Sequence, residues 1–119
     1  MAKVLVVDDS SLMRSVLRNF IIKSGSTVAG EAENGKEAVD KYRQLKPDVV
    51  FLDILMPEMD GITALKKIRE LDSNAKIIMC SSVLDNKTVE NTKKLGALEY
   101  IMKPFHQTDV ENALKKISI

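Results

Sequence analysis

Short apolar runs alternate along this chain with longer stretches in which apolar residues recur at helical spacing. Lys3 to Asp8, with Val4-Leu5-Val6-Val7, reads as a first strand, and Thr27 to Ala32 as a weaker second. Asp48 to Asp53, with Val49-Val50-Phe51-Leu52, reads as a third, Lys76 to Ser81 as a fourth and Glu99 to Met102 as a fifth. Short runs rich in β-branched residues between helical patterns are the signature of buried parallel strands. The intervening stripes predict helices. Leu12, Met13, Val16, Leu17, Phe20 and Ile21 form the first, opened by Ser10 or Ser11 and closed by Lys23 and Gly25. Ala38, Val39, Tyr42 and Leu45 form the second, after an Asn34-Gly35 turn and before Pro47. Ile62, Leu65, Ile68 and Leu71 form the third, after a loop punctuated by Pro57 and Gly61. A fourth runs from Asn86 to Leu95 and is ended by Gly96; Val110, Ala113, Leu114 and Ile117 form the last. Five strand–helix units in succession predict an α/β fold, a doubly wound five-stranded parallel sheet with helices on both faces.

The polar residues that interrupt this pattern fall at telling places. Asp8, Asp9, Asp53, Ser81 and Lys103 all lie at or just beyond the predicted carboxyl ends of strands. In an open parallel sheet those ends meet in one crevice, where ligands bind. Carboxylates brought together there repel unless a proton or cation joins them. Hard oxygen donors with room for water favour Mg²⁺. A cation-loaded carboxylate cluster beside a lysine handles phosphoryl groups.

Composition narrows the picture. The 119 residues suit one domain over 1–119, and 45% hydrophobic content supplies an ordinary globular core. A net charge of +1 gives no bias toward nucleic acid, and an aromatic content of 4% without tryptophan gives no stacking platform. No apolar stretch is long enough to span a bilayer, and Met1-Ala2-Lys3 does not begin a signal peptide. The single cysteine, Cys80, excludes an intrachain disulfide framework and points to a reducing cytoplasm.

Val6-Val7-Asp8-Asp9-Ser10, Leu52-Asp53-Ile54-Leu55-Met56-Pro57-Glu58-Met59-Asp60-Gly61, Cys80-Ser81-Ser82 and Lys103-Pro104-Phe105 occur in this order across the chain. Together they resemble a response-regulator receiver domain, most closely a stand-alone, chemotaxis-type regulator without an output domain. The resemblance implies a flavodoxin-like fold with strand order 2-1-3-4-5. It implies that Asp53 accepts a phosphoryl group from a histidine kinase, that Asp9 ligates Mg²⁺ directly and Asp8 mainly through water, and that Asp53 and the Leu55 backbone carbonyl complete the metal ligands. Lys103, held by a cis peptide before Pro104, would pair with one phosphoryl oxygen and Ser81 would bond another. Ser81 and Tyr100 would form a two-state switch, signalling through a surface that includes Asn86, Val89, Lys93, Tyr100 and Lys116.

The same resemblance implies an output that is binding to an effector protein, a motor or switch component or a phosphotransfer protein; a monomer is the simplest expectation, and the balanced charge points to no nucleic-acid or membrane partner. The resemblance implies no turnover of a substrate beyond self-phosphorylation and self-dephosphorylation. Leu55 and Val83 occupy places where polar groups can orient water, so slow dephosphorylation is expected. Within the class, a sporulation-type phosphorelay intermediate fits the same motifs. From a different class, a Mg²⁺-dependent phosphatase of the haloacid-dehalogenase type also uses an aspartyl nucleophile, but it needs an Asp-x-Asp pair after the first strand. Here those acids are adjacent. A phosphorylation-independent adaptor with a vestigial site is argued against by the complete set of acids, serine and lysine.

Overall fold

The computed structural model describes residues 2–83 and 85–117. Five strands, β1 (Lys3–Val7), β2 (Thr27–Ala32), β3 (Val49–Leu52), β4 (Ile77–Ser81) and β5 (Glu99–Met102), alternate with helices α1 (Ser11–Lys23), α2 (Gly35–Leu45), α3 (Gly61–Leu71), α4 (Asn86–Lys94) and α5 (Gln107–Ile117). All strand pairs are parallel and the sheet order is β2-β1-β3-β4-β5.

Strand periodicity explains why both faces are covered. Successive side chains point to opposite faces. Leu5, Val7, Val50, Leu52, Ile77 and Met79 thus join one core with Ala38, Val39 and Tyr42 of α2 and Ala64, Leu65 and Ile68 of α3. Val4, Val6, Val49, Phe51, Ile78 and Cys80 join a second core with Leu17 and Ile21 of α1 and Val110, Ala113 and Leu114 of α5. The central strands β1, β3 and β4 are apolar on both faces for this reason. Fully burying one such side chain is worth roughly 1.5–3 kcal/mol.

Side-chain caps start the helices where the strands release the chain. Ser10 accepts from the Met13 N–H, Asn34 from Glu37, Asp60 from Thr63 and Asp85 from Lys87. Ser10, rather than Ser11, is therefore the cap of α1. The strands β1 and β3 stop one residue before their acids, so Asp8 and Asp53 stand just beyond the ladder. The loop between β3 and α3 is stitched at both ends: the Gly61 N–H donates to the Ile54 carbonyl at 2.8 Å, and the Gly35 N–H donates to the Met59 carbonyl at 2.9 Å.

Candidate functional site

The parallel order places β1 and β3 side by side, with Val7 opposite Leu52. The next residues, Asp8 and Asp53, therefore emerge together, and the Asp53 N–H donates to the Val7 carbonyl at 3.0 Å. Carboxylate oxygens of Asp8, Asp9 and Asp53 lie within 4.8 Å of one another. Asp8 and Asp53 are buried and Asp9 is exposed, so the cluster opens to solvent on one side.

Lys103 enters from the end of β5, where the Lys103-Pro104 peptide is cis and the Lys103 N–H donates to the Ser81 carbonyl at 3.0 Å. Its ammonium Nζ sits 2.6 Å from Asp8 Oδ2 and 3.2 Å from Asp53 Oδ2. The second oxygens are also held: Asp8 Oδ1 accepts from the Ser10 N–H at 2.9 Å and Asp53 Oδ1 from the Ile54 N–H at 2.8 Å. Burial raises the Asp53 carboxyl above its ordinary range and the Asp8 charge pushes the same way, while Lys103 opposes both. Burial alone pulls the Lys103 ammonium down. The hydrogen bond to Asp8 and the charges of Asp53 and Asp8 outweigh it, and the net shift is upward.

One lysine facing three carboxylates leaves net negative charge in a half-enclosed place. That donor set, all oxygen, fits Mg²⁺. The Leu55 carbonyl accepts no backbone hydrogen bond among the described residues, which leaves it available in the same loop.

Ser81 is fully buried at the end of β4, but its hydroxyl oxygen does not meet Asp53; it accepts from the Val83 N–H at 3.2 Å. Tyr100 is half-buried, and its hydroxyl donates to the Val83 carbonyl at 2.9 Å. Val83 is thus held from both sides, by the site serine and by the β5 tyrosine. The proposed surface residues lie apart from the cluster: Asn86 and Lys93 are exposed on α4, Val89 is half-buried beside them, and Lys116 is exposed on α5 and paired with Glu99. Cys80 is buried and burial pushes its thiol up, so it is inert.

The family model described as the response regulator receiver domain matches residues 4–115. The chain belongs to the response regulator receiver family. This receiver is 52% identical over 98% of its length, and 97% of the relative's, to the chemotaxis protein CheY of Thermotoga maritima. It is 46% identical over 96% of its length, and 95% of the relative's, to the chemotaxis protein CheY of Bacillus subtilis. Among solved structures, the CheX-CheY-BeF3-Mg²⁺ complex from Borrelia burgdorferi contains a chain that superimposes on the receiver with a TM-score of 0.95 at 36% identity, covering 98% of this chain and 89% of that one.

Proposed function

We propose that this protein is a chemotaxis response regulator that accepts a phosphoryl group on Asp53 from a histidine kinase and signals by phosphorylation-dependent binding to an effector protein. The observation that carries this reading is the Lys103 ammonium lying between the carboxylates of Asp8 and Asp53, with Asp9 completing the cluster. The near full-length likeness to chemotaxis regulators favours that pathway over a sporulation-type phosphorelay. The adjacency of Asp8 and Asp9, with the nucleophile just beyond β3, disfavours the phosphatase.

Asp8, Asp9, Asp53 and the Leu55 carbonyl would hold Mg²⁺, which when bound supplies positive charge to the transferring phosphoryl oxygens. The Asp53 carboxylate attacks phosphorus. The new O–P bond forms as the N–P bond to the kinase histidine breaks, and the leaving imidazole takes up a proton. Lys103, already oriented by Asp8, pairs with a phosphoryl oxygen. Ser81 donates its hydroxyl hydrogen to another, drawing on the side chain that now holds the Val83 N–H. The apolar side chains of Leu55 and Val83 leave no group there to orient attacking water, so self-dephosphorylation is slow. The protein acts as a cytoplasmic monomer without nucleic-acid partners; no helix among the described residues is long and apolar enough to cross a membrane.

Incubation with acetyl phosphate and Mg²⁺ followed by intact mass measurement tests this. A single phosphoryl adduct is expected in wild type, absent without Mg²⁺ and absent in Asp53→Asn. Once the donor is removed, the adduct should decay more slowly in wild type than in a Leu55→Asn, Val83→Glu variant. No adduct on folded protein overturns the assignment, and free phosphate released over many turnovers reinstates the phosphatase.

A further inference from the structure

The carboxylate of Asp9 is the exposed member of the acidic cluster, and it makes no hydrogen bond among the described residues. Its direction is therefore set by the backbone that delivers it. Asp8 is pinned at every polar group: its N–H donates to the Ala32 carbonyl at 3.1 Å, Oδ1 accepts from Ser10 and Oδ2 from Lys103. Its carbonyl oxygen is taken by a residue that motif reading does not single out. The Arg14 Nη1 donates to the Asp8 carbonyl at 2.7 Å, while its Nε donates to Glu31 Oε1 at 3.0 Å. Glu31 lies on the edge strand β2, opposite Val6, and its other oxygen accepts from Arg18 at 3.0 Å.

The Asp8 carbonyl and the Asp9 nitrogen belong to one planar peptide unit. Fixing that carbonyl fixes the plane from which the Asp9 Cα departs, and so the direction in which its carboxylate is aimed. A guanidinium is suited to this task because its rigid planar fork fixes the direction of two acceptors at once, whereas an ammonium is a point donor on a flexible stem. The Arg14 side chain is only 16% exposed, so its charged hydrogen bonds are sheltered from water.

We propose that Arg14 is a positioning residue for the metal site: braced on Glu31, it orients the Asp8–Asp9 peptide so that Asp9 can ligate the cation. This rests on the Mg²⁺ reading of the cluster. The competing role is purely structural, a staple between α1 and the edge strand β2. Groups that orient metal ligands typically change metal affinity 10–100-fold when removed.

The test uses the full chain without phosphodonor. The Mg²⁺ dissociation constant is read from the rise in melting temperature with Mg²⁺ for wild type, Arg14→Met, Arg14→Lys and Glu31→Gln. With acetyl phosphate, the rate of adduct formation is then followed against Mg²⁺ concentration. Arg14→Met should weaken Mg²⁺ binding about tenfold. Its phosphorylation rate should return to near the wild-type plateau at saturating Mg²⁺, and Arg14→Lys should recover part of the affinity. Glu31→Gln, which removes the charge of the brace but keeps an acceptor for Arg14 Nε and the donor to Asp8, should lower melting temperature with a smaller effect on Mg²⁺. An affinity within twofold of wild type in Arg14→Met overturns the proposal and leaves the staple. If Arg14→Met does not fold, Arg14→Gln decides by the same criterion. A wild-type protein whose melting does not respond to Mg²⁺ overturns the metal reading itself, a result distinct from either.

Discussion

Asp53 holds its charge against the fold. Burial is the largest influence raising its carboxyl, the Asp8 charge adds to it, and Lys103 offsets only part. A carboxyl that binds its proton more tightly in the folded state contributes stability below its unfolded value and loses it as pH rises through the raised folded value. At neutral pH, without metal, ionised Asp53 therefore works against folding. Asp53→Asn should melt higher than wild type at pH 7.5 in chelator, and the difference should shrink on acidification into the carboxylate range. Melting curves across pH check this; a constant difference at all pH values would contradict it. Asp8, Asp53 and Lys103 were legible in the sequence because each interrupts the end of an apolar run, where a charge has no packing reason to be. Arg14 was not, because a basic residue inside a helical stripe looks like any solvated helix position. Only the fold shows that it turns back toward Asp8.

The elements followed the hydrophobic pattern closely, since buried strands and helix faces obey periods of about two and 3.6 residues. The exceptions have geometric causes. The hydrophobic pattern places Leu12 on the α1 stripe, yet it is 70% exposed. Five positions at about 100° each set it roughly 140° around the helix from Leu17, whereas Met13 is only about 40° away. Leu71, at the end of α3, is 46% exposed, and α4 stops at Lys94 with Leu95 as its cap. Asp60 and Asp85 were not singled out as caps because their preceding loops carry no periodic signal. Gly61 looked like loop punctuation, but its role is close approach: a Cβ there would run into the Asp53 carbonyl. Gly61→Ala should cost about 3 kcal/mol in urea unfolding and slow phosphorylation, because the backbone that must yield carries the nucleophile. Gly25→Ala is the contrast. Its φ of 88° strains any side chain, but nothing lies within 4 Å, so about 1 kcal/mol is expected with phosphorylation unchanged. Equal effects of the two on phosphorylation would remove the link between Gly61 and the site.

Across the whole molecule, two cores cover the two faces of a sheet whose carboxyl-terminal edge carries the site. A signal at Asp53 must travel along that edge to reach α4 and α5, and Val83 offers the route. Its N–H is held by Ser81 and its carbonyl by Tyr100, three positions before Lys103 on the strand that borders the α4 and α5 surface. A phosphoryl group that recruits the Ser81 hydroxyl disturbs the first of these bonds and so biases the second. A ligand shifts a two-state element only by what it gains in one state over the other. Removing the tyrosine removes the reporter and leaves the chemistry in place. In Tyr100→Ala, the rate of adduct formation on Asp53 should stay within about twofold of wild type, because the Tyr100 hydroxyl donates to the Val83 carbonyl and lies beside the Ser81 hydroxyl but bonds no site carboxylate. Backbone amide resonances check the consequence. In wild type, phosphorylation should move the signals of Asn86, Val89 and Lys93 as well as those around Asp53; in Tyr100→Ala only the latter should move. Undiminished shifts along α4 in the variant would mean that coupling bypasses Val83 and Tyr100, and that the helix responds to the site by another path.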